Sequence, residues 1–114
     1  MSDVPFACRS TLNCYVTSRT YERGPTDLYE AAVRAVQDLS GLTIGRAVAV
    51  ERDDATRWLS ADFRILFFTD DFDVQVQAQG RRSVIHVRSM SRTGRSDLGT
   101  NRRRVDAFFE CLDD

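Results

Sequence analysis

The chain has 114 residues, a net charge of −1 at pH 7 and 42% hydrophobic residues, which is enough for one small domain with its own core. No run of about 18 apolar residues occurs, so we expect no membrane-spanning helix and no membrane partner. The start of the chain lacks the basic and apolar regions of a signal peptide. We therefore expect a cytoplasmic protein that forms a single domain over residues 1–114.

The cationic side chains, which are all arginines, are unevenly distributed along the chain. Residues 81–104 contain eight arginines and one acid, Asp97, which gives this segment a charge of +7, and the rest of the chain carries −8. The near-zero total is not typical of a general nucleic-acid binder. The asymmetry instead indicates either that two parts of the fold pair with each other or that one face is positive.

The first part of the chain is predicted to be irregular and then helical. Residues 1–25 are expected to form an irregular segment that packs on the domain. Apolar residues at helical spacing then predict a helix over about residues 27–39. Thr26 or Asp27 is the predicted N-cap, and Gly41 is placed where a helix commonly ends.

Two hairpins are predicted after this helix, and the first depends on the choice of turn. If Asp53 and Asp54 form a two-residue turn, Val48 lies opposite Leu59. These are apolar residues on one face, as a half-buried sheet requires. The same register places Ile44 opposite Phe63.

The second hairpin has the stronger pattern. The stretch FDVQVQAQ alternates apolar and polar residues, which is typical of a strand, and Gly80-Arg81 can form a two-residue turn. This register places Asp73 opposite Arg88 and Asp70 opposite Ser91. It also pairs Val76 with Ile85, Val74 with Val87, Phe72 with Ser89, and Gln75 with His86.

The end of the chain again has helical spacing, with apolar residues from Leu98 to Leu112, and Ser96 or Asp97 is the predicted N-cap. The elements together predict an α+β fold in the order α-β-β-β-β-α. We expect a four-stranded antiparallel sheet with two helices packed on one face.

The run RSMSRTGRSDLGTNRRR over residues 88–104 resembles the signature of the domain of unknown function 1499 family, R-S-x-S-R-x-G-x-S-D-x-G-x-N-x-x-R. The preceding FFTDD fits the paired aspartates of that family. Near the N-terminus, Cys8, Asn13 and Cys14 match its C-P-S-S-P-N-C pattern, although both prolines are absent. The resemblance spans nearly the whole chain, and it implies no agreed biochemical activity.

Asp70 is the most informative single residue, because the predicted register places its carboxylate on the apolar face. A buried carboxylate needs a partner. The structural interpretation pairs Asp70 with an arginine or with backbone amides of residues 92–96. The functional interpretation makes Asp70 a general base at the mouth of a pocket. Asp73 with Arg88 is predicted to be an exposed cross-strand ion pair.

The loop before the last helix is the candidate anion site. Free amides at a helix N-terminus attract anions, and serine and arginine side chains would add donors. The candidate ligands of the anion are Arg88, Arg92, Arg95, Ser96 and Asn101. In the competing interpretation, Asp97 fills the same electrostatic role from within the chain, as a structural residue. The arginines at 102–104 are expected to point mostly toward solvent.

The remaining polar residues give weaker signals. Three cysteines without an export signal are interpreted as reduced thiols, with Cys111 in the core. Cys8 and Cys14 are expected to be structural, although a reactive thiol pair is the alternative. His86 is interpreted as a solvated or partly covered sheet residue. We expect no metal site and no cofactor, and the sequence does not indicate an oligomeric state.

Three functional hypotheses follow from these residues. The leading one is a non-catalytic module that binds a small anion or an acidic protein surface through the arginine and serine loop. The second is a hydrolase-type enzyme with Asp70 as general base and Arg92 or Arg95 as electrostatic stabiliser. The third is a weak nucleic-acid contact through Arg81, Arg82 and the arginines at 102–104.

Overall fold

The structure, a computed structural model, describes residues 4–42, 46–52, 57–65, 68–94 and 96–114, with the backbone alone for residues 40–42, 46–52 and 65. In chain order its elements are β1 (Cys14–Tyr21), α1 (Pro25–Leu42), β2 (Arg46–Arg52), β3 (Arg57–Ile65), β4 (Phe68–Gln79), β5 (Arg82–Ser91) and α2 (Thr100–Asp113). The strands form an antiparallel sheet in the order β1-β5-β4-β3-β2. The predicted α+β class, with four antiparallel strands between two helices, is confirmed.

The strand β1 was not predicted, and the expectation that all of residues 1–25 are irregular is wrong for Cys14–Tyr21. This strand pairs with β5 from Cys14 opposite Met90 to Tyr21 opposite Ser83. Its residues are mostly half-buried or exposed, so the apolar pattern that reveals a strand is weak. The pairing is long-range, and a strand at the edge of a sheet carries little local signal of its partner.

The first helix is longer than predicted at both ends. It begins at Pro25, whose fixed φ angle suits the first helical position, and the carbonyl of Gly24 accepts the hydrogen bond of the Leu28 amide at 3.0 Å. Thr26 and Asp27 therefore both lie inside the helix, and the prediction that one of them is the cap is wrong. Gly41 also lies inside, because the helix continues to Leu42.

The predicted register of the first hairpin is wrong. β2 ends at Arg52 and β3 begins at Arg57, so the connection has four residues and the assumed two-residue turn does not apply. The strands are consequently shifted, and Leu59 lies opposite Glu51 instead of Val48. The predicted turn residues and Ile44 lie outside the described residues.

The predicted register of the second hairpin is confirmed at every position. Asp70 lies opposite Ser91, and Asp73 lies opposite Arg88. Gly80 has a φ of 61°, in the left-handed region that favours glycine, as a turn with glycine first requires. Strict alternation and turn chemistry were therefore sufficient to predict this register without tertiary information.

The two helices pack on one face of the sheet, as predicted. The core lies between the helices and this face of the sheet. Its largest side chains are phenylalanines, with Phe72 of β4 in contact with Phe63 of β3 and Phe108 of α2 at ring-centroid distances of 5.9 and 5.3 Å. The N-terminal segment packs on the sheet through Phe6, whose ring lies edge-on to Trp58 at 5.8 Å. The residues of interest lie where this segment meets the end of β5 and the start of α2.

Candidate functional site

A disulfide and a set of hydrogen bonds join the N-terminal segment to the loop before α2. Cys8 and Cys14 form a disulfide, so the expectation that these two cysteines are reduced is wrong. The residues from Cys8 to Cys14 are called the disulfide loop. The carbonyl of Leu12 accepts the Asp97 amide at 2.9 Å, and the Asn13 side chain donates to the carbonyl of Gly94 at 2.9 Å. The two loops therefore form one structural unit.

Asp97 occupies the electrostatic position at the start of α2. The N-cap is Gly99, with a φ of 82°, so the prediction of Ser96 or Asp97 at the N-cap is wrong. The Asp97 carboxylate nevertheless accepts hydrogen bonds from the amides of Gly99 at 2.8 Å and Asn101 at 3.2 Å. These amides would otherwise be available to an external anion. Asp97 thus satisfies two amides at the start of the helix from within the chain.

Asp70 is buried and paired, but its partner lies on α2. One Asp70 oxygen lies 2.8 Å from Nη1 of Arg104, and these residues are 6% and 2% exposed. The expected pairing of Asp70 with an arginine is confirmed, but the arginine comes from α2 and not from residues 92–96. The expectation that Arg104 points mostly toward solvent is wrong. Arg104 lies on the buried stripe of α2, one turn before Phe108, which brings its guanidinium to the sheet.

Ser89 and Asn101 complete this cluster, which is called the buried network. Arg104 Nη1 donates to Ser89 Oγ and to Asn101 Oδ1, each at 3.2 Å. Ser89 Oγ also donates to Asn101 Oδ1 at 2.6 Å. The guanidinium carbon lies 4.7 Å from the ring centroid of Phe63, which places the cation against an aromatic face. Four signature residues, with Asp70 as the fourth, therefore hold β4, β5 and α2 together.

Asn101 also ties the network to the disulfide loop. Its amide nitrogen lies 3.0 Å from the carbonyl oxygen of Asn13 and 2.6 Å from Asp97 Oδ2. The side chain is fully buried, and both its oxygen and its nitrogen have protein partners. Asn101, predicted as an anion ligand, therefore faces the protein interior and no described pocket.

The other signature arginines form ion pairs on the opposite face of the sheet. Arg88 Nη2 lies 2.9 Å from Asp73 Oδ2, and both side chains are more buried than the exposed pair that was predicted. Arg92 binds Asp71 through Nε and Nη2, the shorter contact being 2.8 Å. Arg95 lies outside the described residues.

Arg88 and Arg92 meet Arg9 of the disulfide loop at a pocket of about 490 Å³, called the arginine pocket. Arg9 is exposed, and no ion pair of Arg9 occurs within the described ranges. The lining residues are Ala7, Arg9, Ser10, Asn13, Arg88, Met90, Ser91 and Arg92. Three cations and two neighbouring acids, Asp71 and Asp73, give this region a net charge of +1.

Two further pockets flank the same junction. The first, of about 630 Å³, lies against the other side of the disulfide loop and is called the disulfide pocket. The second, of about 240 Å³, contains Asp70 together with Phe68 and Ser96, and is called the Asp70 pocket. Ser96 lines both of these and does not line the arginine pocket.

His86 is more buried than predicted. It is 1% exposed, and its Nδ1 lies 2.6 Å from Ser18 Oγ. Its Nε2 has no hydrogen-bond partner among the described residues. Burial lowers the pKa of His86 below its ordinary value, because removing the ring from water disfavours the imidazolium.

No group of three or more histidine, cysteine, aspartate or glutamate side chains is placed to hold a metal ion in the part of the chain that the structure describes. Neither described helix has the length and hydropathy that crossing a bilayer needs.

The sequence profile described as "Protein of unknown function (DUF1499)" matches residues 6–112. The chain belongs to the DUF1499 family. The predicted membership is therefore confirmed. In this member the signature residues form the buried network, and three of them, Arg88, Ser91 and Arg92, also line the arginine pocket. No curated protein sequence matches the chain significantly.

Comparison with solved structures shows the fold alone. The crystal structure of Ara h 8.0201 is 13% identical, covers 88% of this chain and 94% of the other, and has a TM-score of 0.52. The crystal structure of TTHA0849 from Thermus thermophilus is 9% identical over 88% of this chain and 94% of the other, with a TM-score of 0.43.

Sequence reasoning missed Arg9 as a member of the candidate site. Arg9 lies far from Arg88 and Arg92 in the chain, and only the disulfide and the hydrogen bonds of the disulfide loop bring them together. Arg88 also donates to the carbonyl of Ala7 at 3.1 Å, which fixes the neighbouring segment. The two cysteines could have predicted a compact loop around Arg9, because a disulfide of this spacing closes a short loop.

Proposed function

We propose that this DUF1499 domain is a non-catalytic module that binds a small anion in the arginine pocket. The observation that carries the proposal is the convergence of Arg9, Arg88 and Arg92 on one pocket of about 490 Å³. Guanidinium groups are suited to phosphate, sulfate and carboxylate, because their planar donors match the geometry of these anions. The pocket offers three such groups from two separate segments of the chain.

The distribution of charge supports an anionic ligand. Asp73 neutralises Arg88, and Asp71 neutralises Arg92, so these two pairs fix the positions of their arginines. The charge of Arg9 is left for a ligand. Ser10 and Asn13 line the same pocket and add neutral donors beside it.

This placement replaces the site at the helix N-terminus that the sequence predicted. Asp97 satisfies the amides of Gly99 and Asn101, and an external anion would have to displace the Asp97 carboxylate to reach these amides. The arginine pocket keeps Arg88 and Arg92 from the predicted set. An acidic protein surface is the second class of partner that the same charges would accept.

The cellular location is a separate question on which the disulfide bears. The sequence predicts a cytoplasmic protein, and that remains a prediction. A disulfide between Cys8 and Cys14 is typical of oxidising compartments, since cytosolic thiols are kept reduced. The disulfide thus supports an extracytoplasmic location, and fractionation of the native protein would decide between the two.

The test compares sodium phosphate with sodium chloride at equal ionic strength, with thermal unfolding as the measurement. Binding to the folded state should stabilise the protein by about 1.4 kcal/mol at a phosphate concentration ten times Kd. Arg9→Gln should remove this difference. Arg81→Gln, an exposed arginine at the distant hairpin turn, should keep it. Equal melting temperatures of the wild type in the two salts would refute the proposal.

The hydrolase hypothesis is the second candidate, because Asp70 lines the Asp70 pocket. Its carboxylate lies 2.8 Å from Arg104, a contact in which the carboxylate serves as a structural partner. Arg92, one proposed stabiliser, is paired with Asp71 and does not line that pocket. The geometry therefore favours binding over catalysis.

The geometry does not favour nucleic-acid contact. Arg82 starts β5, whereas Arg104 contacts Ser89, seven residues further along the strand and hence about 23 Å away at the rise of a strand. Arg82 also pairs with Glu22 at 3.2 Å. Arg104 is also only 2% exposed and cannot reach a nucleic acid, so the proposed set of arginines does not act together.

A further inference from the structure

The disulfide pocket, at about 630 Å³, is larger than the arginine pocket and is not the site proposed above. This volume falls within the range of pockets that hold small organic ligands, about 300–1,000 Å³. The disulfide loop contributes to both pockets, since Arg9 and Ser10 line the arginine pocket while Thr11 and Leu12 line the disulfide pocket. Ala7, just before the loop, lines both.

Much of the lining of the disulfide pocket is apolar. Phe6, Leu12, Tyr15 and Val16 line it, together with the disulfide itself. Leu12 is 60% exposed, so more than half of this apolar side chain is in contact with water. A ligand with an apolar body would remove this surface from water, and the hydrophobic effect would favour its binding.

Two charged side chains, Arg102 and Asp97, also line the pocket. Arg102 lies over the ring of Tyr15, with its guanidinium carbon 5.4 Å from the ring centroid, and has no ion pair within the described part of the chain. Asp97 also lines the pocket, but its oxygens are bound by the backbone amides of Gly99 and Asn101 and by the Asn101 side chain. Asp97 keeps its negative charge, but its oxygens are occupied, so Arg102 is the charged side chain of this lining that can still bind a ligand group of opposite charge.

From the apolar lining and the guanidinium of Arg102 we infer that the disulfide pocket binds a small amphipathic carboxylate. The apolar body would lie against Phe6 and Leu12, and the carboxylate would accept hydrogen bonds from Arg102. Tyr15 holds the guanidinium at the edge of the pocket by a cation–π contact, which reduces the side-chain freedom lost on binding.

The test uses octanoate, octanol and acetate as probes of the oxidised protein, with binding measured by calorimetry. Octanoate should bind, acetate should not because it lacks the apolar body, and octanol should bind more weakly because it lacks the charge. Arg102→Gln should weaken octanoate binding by at least about fivefold, the loss expected for a charged hydrogen bond at a partly exposed site. The same variant should leave octanol binding unchanged.

Two control variants separate the proposed causes. Arg81→Gln removes one distant exposed cation and should leave octanoate binding at the wild-type level. Leu12→Asn should weaken octanoate and octanol to the same extent. Circular dichroism would verify folding of each variant, which is expected because Arg102 and Leu12 are exposed. The inference is overturned if octanoate does not bind, or if Arg102→Gln and Arg81→Gln bind it equally.

This result is distinguishable from the test of the arginine pocket. Arg102→Gln should retain phosphate stabilisation, whereas Arg9→Gln should lose it and retain octanoate binding. A loss of both ligands in either variant would indicate one shared site and would contradict the separation of the pockets.

Discussion

Two groups of arginine in the same signature have opposite environments. Arg104 is buried, faces Asp70, and directs its Nη1 at three side chains of the buried network. Arg88 and Arg92 lie at a pocket, where Arg9 adds a charge without an ion pair among the described residues. A run of like residues can therefore divide between a structural and a binding role according to the element that carries each one.

The largest predicted effect comes from the buried side of this comparison. Arg104→Met leaves the Asp70 carboxylate buried without its partner and should lower the free energy of unfolding by about 3–5 kcal/mol. Urea denaturation measures this value. The double variant Asp70→Asn with Arg104→Met removes both charges and should recover much of the loss. A loss below about 1 kcal/mol for Arg104→Met would mean that the pair is not a buried structural contact.

The disulfide loop connects the two arginine groups, and its removal should have the next largest effect. Replacing Cys8 and Cys14 by serine should cost about 2 kcal/mol, the value expected for a closed loop of about seven residues. Both phosphate and octanoate should also bind less tightly, because the loop lines both pockets. Thermal unfolding measures the loss of stability, and Cys111→Ser, which removes a free thiol, is the control. If the two variants melt alike, the disulfide does not organise the junction.

The burial of His86 predicts a dependence of stability on pH that neither arginine group should produce. Its pKa is lowered in the folded state, so the unfolded chain takes up the proton first as pH falls below about 6.5. Stability is therefore complete above that pH and decreases as pH falls toward the folded pKa, by at most about 1.4 kcal/mol per pH unit. His86→Gln should have a flatter profile between pH 7 and 5. Identical profiles would place the histidine in water.

The smallest effect on stability is expected on the exposed side of the comparison. Arg92→Gln breaks an exposed ion pair with Asp71 and should cost less than about 1 kcal/mol. Phosphate affinity should fall more clearly, because the variant removes one of the three guanidinium groups in the arginine pocket. Urea denaturation of this variant measures the free energy of unfolding, and phosphate titration measures its affinity for phosphate. A large loss of stability would show that Arg92 resembles Arg104 after all.

The sequence was most informative where local chemistry determines structure. Alternation in β4 and the glycine at position 80 were sufficient to predict the β4–β5 register, and that register correctly placed Asp70 on the core face. The register of β2 and β3 failed because the turn length was assumed. The strand β1 was missed because its partner lies at the other end of the chain.

The partners of the site residues depended on tertiary contacts that the sequence did not contain. Asp70 was expected to bind the loop that follows its neighbouring strand, but the helical stripe that includes Asn101, Arg104 and Phe108 brings Arg104 to it instead. These three residues recur at helical spacing, and that spacing could have predicted that Arg104 faces the core. Arg9 had no comparable pattern, because only the disulfide loop places it beside Arg92.

The most direct test of the division between the two arginine groups is a phosphate titration followed by backbone amide NMR shifts. We predict that the amides that shift cluster at residues 7–13 and 88–92, around the arginine pocket. The amides of Gly99 and Asn101, which Asp97 already binds, should remain unchanged. Shifts confined to residues 97–104, or none at saturating phosphate, would contradict this division.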